Sequence, residues 1–273
     1  MKERKSLRKN PSRSLLLKSD LHFPNMPRHE RLKLKHPFCI FCGGTEPMTS
    51  VEHMPPRVLF ERKQRPRGLE FPSCQKCQDS TRREELAVAM FSRIYPDSPT
   101  EKGRKEYQKI IRSVSRNHPG LLEEMNIDRL AVLRDIGEAA NRLPTWNFLN
   151  CGGPLATTII SKFATKLAAA LHFELTHEIV PRGAAIFVMH FTNYSAIVEG
   201  MPIDLLDALG VEKILAMGAQ HSGGVFSYQS RRLNGEPTTI HMAYFRQSFA
   251  LLLGVFPRFS DVPPQAVAHI VIH

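Results

Sequence analysis

Hydrophobic positions recur along this chain with two periods, and the change of period divides it. From Pro154 onward, Leu155, Ile159, Phe163, Leu167 and Leu171 return every four residues with Ala164 and Ala168 beside them, which predicts a long central core helix. Earlier in the chain, residues 84–95 place Leu86, Ala89, Met90, Arg93 and Ile94 at helical spacing, with Pro96 as the stop. Ser98-Pro99-Thr100-Glu101 reads as a capping box with proline at the first helical position. It opens a basic helix that runs to about residue 115 and closes at Asn117-His118-Pro119-Gly120. A further helical pattern covers 127–143, with Leu130, Leu133, Ile136 and Leu143 near one face.

After residue 180 the period shortens. Residues 184–191, 224–233, 238–246, 249–256 and 267–272 read as apolar strands, with Asn234-Gly235-Glu236-Pro237 as a hairpin turn and a short helix over 202–209. The fold class expected is therefore α+β: an N-terminal module, a helical middle, and a C-terminal domain with a mostly antiparallel sheet and one long core helix. The divisions expected are a basic flexible arm (1–35), the module (36–95), a helical connector (96–150) and the α+β domain (151–273).

Composition changes this picture in one respect. The chain of 273 residues has a formal net charge of +11, and residues 1–36 alone carry eleven Lys/Arg against three Asp/Glu. A basic arm of this kind favours polyanions and makes binding salt-dependent without reading sequence. No apolar run approaches the roughly 20 residues of a membrane span. No membrane partner is expected. The Leu15-Leu16-Leu17 run is too short for a signal peptide, although a transit peptide fits the arm's composition. Without a secretory signal the thiols should be reduced, as in the cytoplasm.

The chemistry concentrates between Cys39 and Glu85. Cys39/Cys42 and Cys74/Cys77 form two C-x-x-C pairs, and four soft thiolates so arranged suit a structural tetrahedral Zn(II) with Zn–S of about 2.3 Å. The 31 residues between Cys42 and Cys74 exceed the usual zinc-ribbon spacing of about 15–20. They hold Glu52-His53-Met54-Pro55 and a basic run from Arg57 to Arg67. Cys151 reads as an ordinary thiol. His172, Glu174, His177 and Glu178 do not match a metal motif and read as solvated or capping groups near a helix end. Gly152-Gly153-Pro154 reads as a helix start in preference to an anion site.

Together, C-x-x-C, an acid-His-x-x-Pro run and Pro-x-Cys-x-x-Cys followed by an amide and an acidic helix start resemble the zinc-stapled branch of the HNH, or ββα-metal, endonucleases. The resemblance covers about residues 36–90. It implies a ββα-metal fold, a structural four-cysteine zinc, His53 as general base, and Glu52 and Gln78 as ligands of a catalytic Mg(II) or Mn(II). It also implies a nucleic-acid partner, DNA first, for which Arg57, Arg62, Lys63, Arg65, Arg67, Lys76 and Arg82 are the candidate phosphate contacts. The chain departs from the family in having Glu for the commoner Asp, Gln78 where Asn or His is usual, and no mid-motif Asn. The alternative expectation is a catalytically degenerate HNH-like module that binds nucleic acid or a protein.

Overall fold

The long helix is the element on which everything else is laid. In the computed structural model, which describes residues 26–95, 98, 100–126, 134, 137, 148–233, 236–262 and 269–271, the period-four pattern becomes a helix over Pro154–Thr176. Its buried positions run almost all round, from Ala156, Ile159, Ile160, Phe163 and Ala164 to Leu171, His172 and Phe173. A helix apolar on every side must be covered on every side. The alanines at 164, 168, 169 and 170 permit close approach from two directions at once.

On one side lies a five-stranded sheet. Its strands are β3 (Ala185–Thr192), β6 (Phe226–Arg232), β7 (Thr239–Phe245), β8 (Phe249–Phe256) and β9 (His269–Val271). The order is β6-β7-β8-β3-β9 and every pairing is antiparallel. All eight residues of β8 are buried, because both sheet faces are covered. Ala243, Phe245, Leu251, Leu253 and Val255 belong to the main core with the long helix, whereas Met242, Ala250 and Leu252 pack in a second cluster with Leu205, Leu206 and Leu209 of a short helix, Ile203–Leu209. Adjacent strand residues face opposite ways, so one apolar strand serves both clusters.

On the other side sits the N-terminal module: helix α1 (Arg28–Lys35), β1 (Ser50–His53) paired antiparallel with β2 (Glu70–Ser73), then α2 (Gln75–Asp79) and α3 (Arg82–Ser92). Ile40, Met54, Leu59, Phe71 and Ala87 through Phe91 join the same continuous core as Phe163, Leu167 and Phe245. Helix α4 (Glu101–Asn117) lies against α3. A two-residue-per-strand hairpin, β4 (Ala216–Met217) with β5 (Gln220–His221), projects toward the module. Among the described residues no helix is long and apolar enough to cross a membrane.

The mixed helix and antiparallel sheet expected from the pattern is what the chain forms, with some shifts. The 98–101 box is displaced: the N-cap is Thr100, whose hydroxyl accepts from the Gly103 amide at 3.0 Å, and the helix begins at Glu101. Ser98 instead donates to Glu61 Oε1 at 2.9 Å. His172 is not solvated. It is buried and bonded to Thr239 Oγ1 at 2.9 Å, because its turn of the long helix faces the sheet. His177 caps that helix in a left-handed conformation at φ 59°. Part of the expected flexible arm, residues 28–35, is helical. Residues 1–25, the pattern over 127–143 apart from positions 134 and 137, and the 234–235 turn lie outside the described residues.

Candidate functional site

Two neighbouring side chains on β1 lead to two different environments, and a third environment holds the cysteines. In that third one, Cys39 caps a tight turn over Ile40–Cys42 and its sulfur accepts the Phe41 amide. Gly43 follows at φ 66°, a conformation that permits the knuckle to close. Cys74 caps α2 in the same way and its sulfur accepts from the Cys77 amide. The four sulfurs of Cys39, Cys42, Cys74 and Cys77 lie within 4.8 Å of one another. Zn–S bonds of about 2.3 Å in a tetrahedron would set them about 3.8 Å apart, so these residues fit a structural metal ion. As bare thiols they do not ionise together. The Cys39 thiol is pulled down to about 4, chiefly by the hydrogen bond from Cys77, while that same pairing pushes Cys77 up.

His53 opens into a basic pocket of about 780 Å³. Arg28, Arg31, Arg57, Lys63, Arg65 and Arg67 line it, with Glu70 as its one carboxylate. Glu70 faces His53 across the β1–β2 ladder and is paired with Arg28 at 3.0 Å. Arg57 Nη2 lies 3.2 Å from His53 Nε2. A guanidinium only donates, so Nε2 is the acceptor and the ring proton is on Nδ1. Burial, then the charges of Arg57, Arg65 and Arg28, hold His53 down at about 4. The imidazole is therefore neutral near pH 7.

The cations of this pocket are not equivalent. Arg65 gives its guanidinium to five backbone carbonyls, those of Met54, Pro55, Pro66, Gly68 and Leu69, at 2.7–3.2 Å. It holds the 54–69 loop in shape. Arg57, Lys63 and Arg67 remain the loop's outward cations, and Arg28 and Arg31 join them from α1. The far wall comes from the C-terminal half: Met217 and Gln220 of the small hairpin line the pocket, and Gln220 Nε2 donates to the Gln64 carbonyl at 2.9 Å. Arg62, Lys76 and Arg82 do not line it. The backbone amide of Arg62 is held by Glu106, and Arg82 is paired with Asp79 at 2.8 Å.

Glu52 points the other way, as its neighbour on a strand must. Its carboxylate is buried, with Oε2 3.3 Å from Lys166 Nζ, an ion-pair distance without hydrogen-bond alignment. Burial pushes Glu52 up to about 7, Lys166 opposes that shift and Glu85 adds to it. Gln78 donates its amide to the Val51 carbonyl at 3.4 Å. The structure thus does not bring Glu52, His53 and Gln78 to one point. Among the described residues, the four cysteines are the only group of three or more Cys, His, Asp or Glu ligand atoms close enough to share an ion. For a catalytic Mg(II) or Mn(II) the donors implied by the resemblance do not fit, because one carboxylate is tied to an ammonium and the amide to backbone.

Sequence reasoning missed Arg28 and Arg31, which it assigned to a flexible arm, and Lys166, which no motif includes. A signal for Lys166 was present: it is set between Phe163-Ala164 and Leu167-Ala168 of the core-helix pattern, and a lysine on a face that must be buried has to set its charge against a partner. Compared with protein-family models, curated proteins and solved structures, the chain matches none.

Proposed function

We propose that this protein is a nucleic-acid phosphodiesterase with a histidine general base that holds a backbone phosphate in the His53 pocket, with a structural zinc in the four-cysteine site. The observation that carries the reading is the company His53 keeps: a neutral imidazole among Arg28, Arg31, Arg57, Lys63 and Arg67 in one open pocket. Guanidinium groups bind phosphate oxygens in pairs and stabilise the charge that develops on them. As Arg57 turns to the phosphate, His53 Nε2 is released to take a proton from the attacking water. The water oxygen bonds to phosphorus, the opposite P–O bond breaks, and the arginines receive the leaving oxygen's charge. No step is assigned to a dissociable divalent ion.

A second reading, binding without cleavage, is favoured by one observation. Glu52 and Gln78, the ligands the resemblance implies, are both engaged elsewhere. The deciding experiment uses zinc-loaded protein with supercoiled plasmid, single-stranded DNA and RNA, with and without added Mg(II) or Mn(II), and compares wild type with His53→Ala. Cleavage that is lost in His53→Ala, with zinc content and binding retained, is the expected result. Salt-dependent binding with no cleavage of any substrate would leave the binding module as the function.

A further inference from the structure

Three side-chain oxygen groups, Glu52 of β1 and Thr81 and Glu85 at the start of α3, converge behind β1. Lys166, at the middle of the long helix, has its ammonium 2.8 Å from Thr81 Oγ1, 3.1 Å from Glu85 Oε1 and 3.3 Å from Glu52 Oε2. Its side chain is 5% exposed and those of Glu52 and Glu85 are 7% and 11%. The ammonium also stands 5.5 Å from the centre of the Phe41 ring. Two carboxylates and a hydroxyl are the hard oxygen donors a small divalent ion takes, yet a lysine enters from the opposite side and fills the space between them.

We infer that Lys166 is the resident cation of this cradle, its ammonium occupying the position between Glu52, Glu85 and Thr81 and closing it to a dissociable divalent ion. Charge balance supports the assignment. One ammonium against two carboxylates leaves one negative charge buried, and an isolated buried charge is strongly unfavourable. Glu52 answers by holding a proton up to about pH 7. Ammonium plus proton then neutralise what a dication would neutralise alone. Glu52 Oε2, buried and without hydrogen-bond alignment, is the atom left over by that arrangement. The arrangement also ties the module to the core helix, since Glu52, Thr81 and Glu85 belong to the module and Lys166 does not.

The inference does not rest on the phosphodiesterase reading, and its test needs no cleavage. Zinc-loaded protein is titrated with Mn(II), and free aquo-Mn(II) is followed by electron paramagnetic resonance. Wild type is expected to take up none at the cradle. Lys166→Ala, with folding checked by far-ultraviolet circular dichroism and zinc content, is expected to bind one Mn(II), with a dissociation constant at least about tenfold below the highest free Mn(II) at which wild type still binds none. Adding Glu52→Gln should abolish that gain. Lys166→Met, which keeps the stem volume, serves if the alanine variant does not fold. Mn(II) uptake by wild type that Glu52→Gln removes would overturn the inference, as would a folded Lys166 variant that gains no site. Should neither variant fold, the wild-type titration decides alone: uptake at the cradle overturns the inference and its absence supports it.

Discussion

Arg65 and Arg67 are two residues apart in one basic run, and nothing in the sequence separates them. The difference lies in the backbone. Arg62, Lys63 and Leu69 take positive φ values of 54°, 56° and 47°, and the loop so formed turns carbonyls inward around one guanidinium. Burial lowers Arg65 to about 10, still charged at any physiological pH, so it is a fixed structural cation. Arg65→Ala should cost about 2–4 kcal/mol, because several part-buried carbonyls lose their donor. Arg65→Lys should not rescue it, since one ammonium cannot reproduce a planar fork. Arg67→Ala should leave the urea midpoint unchanged while weakening nucleic-acid binding and lowering its salt slope by about one. Equal effects of the two substitutions on stability would contradict this division. The cysteine cluster, in contrast, was legible residue by residue, because C-x-x-C spacing fixes sulfur positions locally. The opposite directions of Glu52 and His53 follow from strand alternation, which a motif read as a string does not display.

At the scale of elements, legibility followed periodicity. The four-residue repeat from Leu155 to Leu171 gave the long helix, and the apolar run 249–256 gave β8, because burial on both sides leaves an unbroken hydrophobic signal. Helix α1 has no buried residue and the β4–β5 hairpin has two residues per strand. Neither carries a period, although both build walls of the basic pocket. The start of the long helix was read correctly as a helix start, and its physical reason is tertiary. Glu124, at the end of a short helix (Leu121–Glu124), accepts the Leu155 amide at 2.9 Å and the Ala156 amide at 2.8 Å. This carboxylate satisfies two of the amides that helix geometry leaves unpaired and sits at the positive end of the dipole. It fills the place an external anion would take. Glu124→Ala should therefore destabilise the protein by about 1–2 kcal/mol, and Glu124→Gln, which keeps one acceptor and loses the charge, by less. Urea titration of the three proteins checks the order, and an unchanged midpoint in the alanine variant would refute the capping role.

At the scale of the whole molecule, the core holds histidines that fold in the neutral form. Burial lowers His172 to about 4 and His241 to about 3. The two are linked through the Thr239 hydroxyl, which lies 2.9 Å from a ring nitrogen of each, and His241 reaches Ser230 Oγ at 2.8 Å. In the unfolded chain both titrate near 6.5. Between those values the unfolded state binds more protons, so acid favours unfolding. The contribution is complete above about pH 6.5 and is lost as pH falls toward 4, at up to about 1.4 kcal/mol per pH unit for each histidine. Glu52 acts in the opposite sense. Its folded value of about 7 lies above the ordinary carboxylate value of 4.5, so the folded state binds the extra proton, and stability from this group grows as pH falls from 7 toward 4.5. His53, held down at about 4 in its pocket, adds to the two core histidines, and three histidines against one glutamate leave a net loss in acid. Unfolding free energy should therefore drop between about pH 7 and about pH 5, by roughly 2 kcal/mol for each of these three histidines less an opposing share of similar size from the one glutamate, Glu52. His241→Gln should flatten the dependence and Glu52→Gln should steepen it. Urea unfolding of the three proteins at both pH values separates the terms. A Glu52→Gln variant with a flatter profile than wild type would show that Glu52 is ionised in the folded protein, and that the proton proposed to balance the Lys166 cradle is absent.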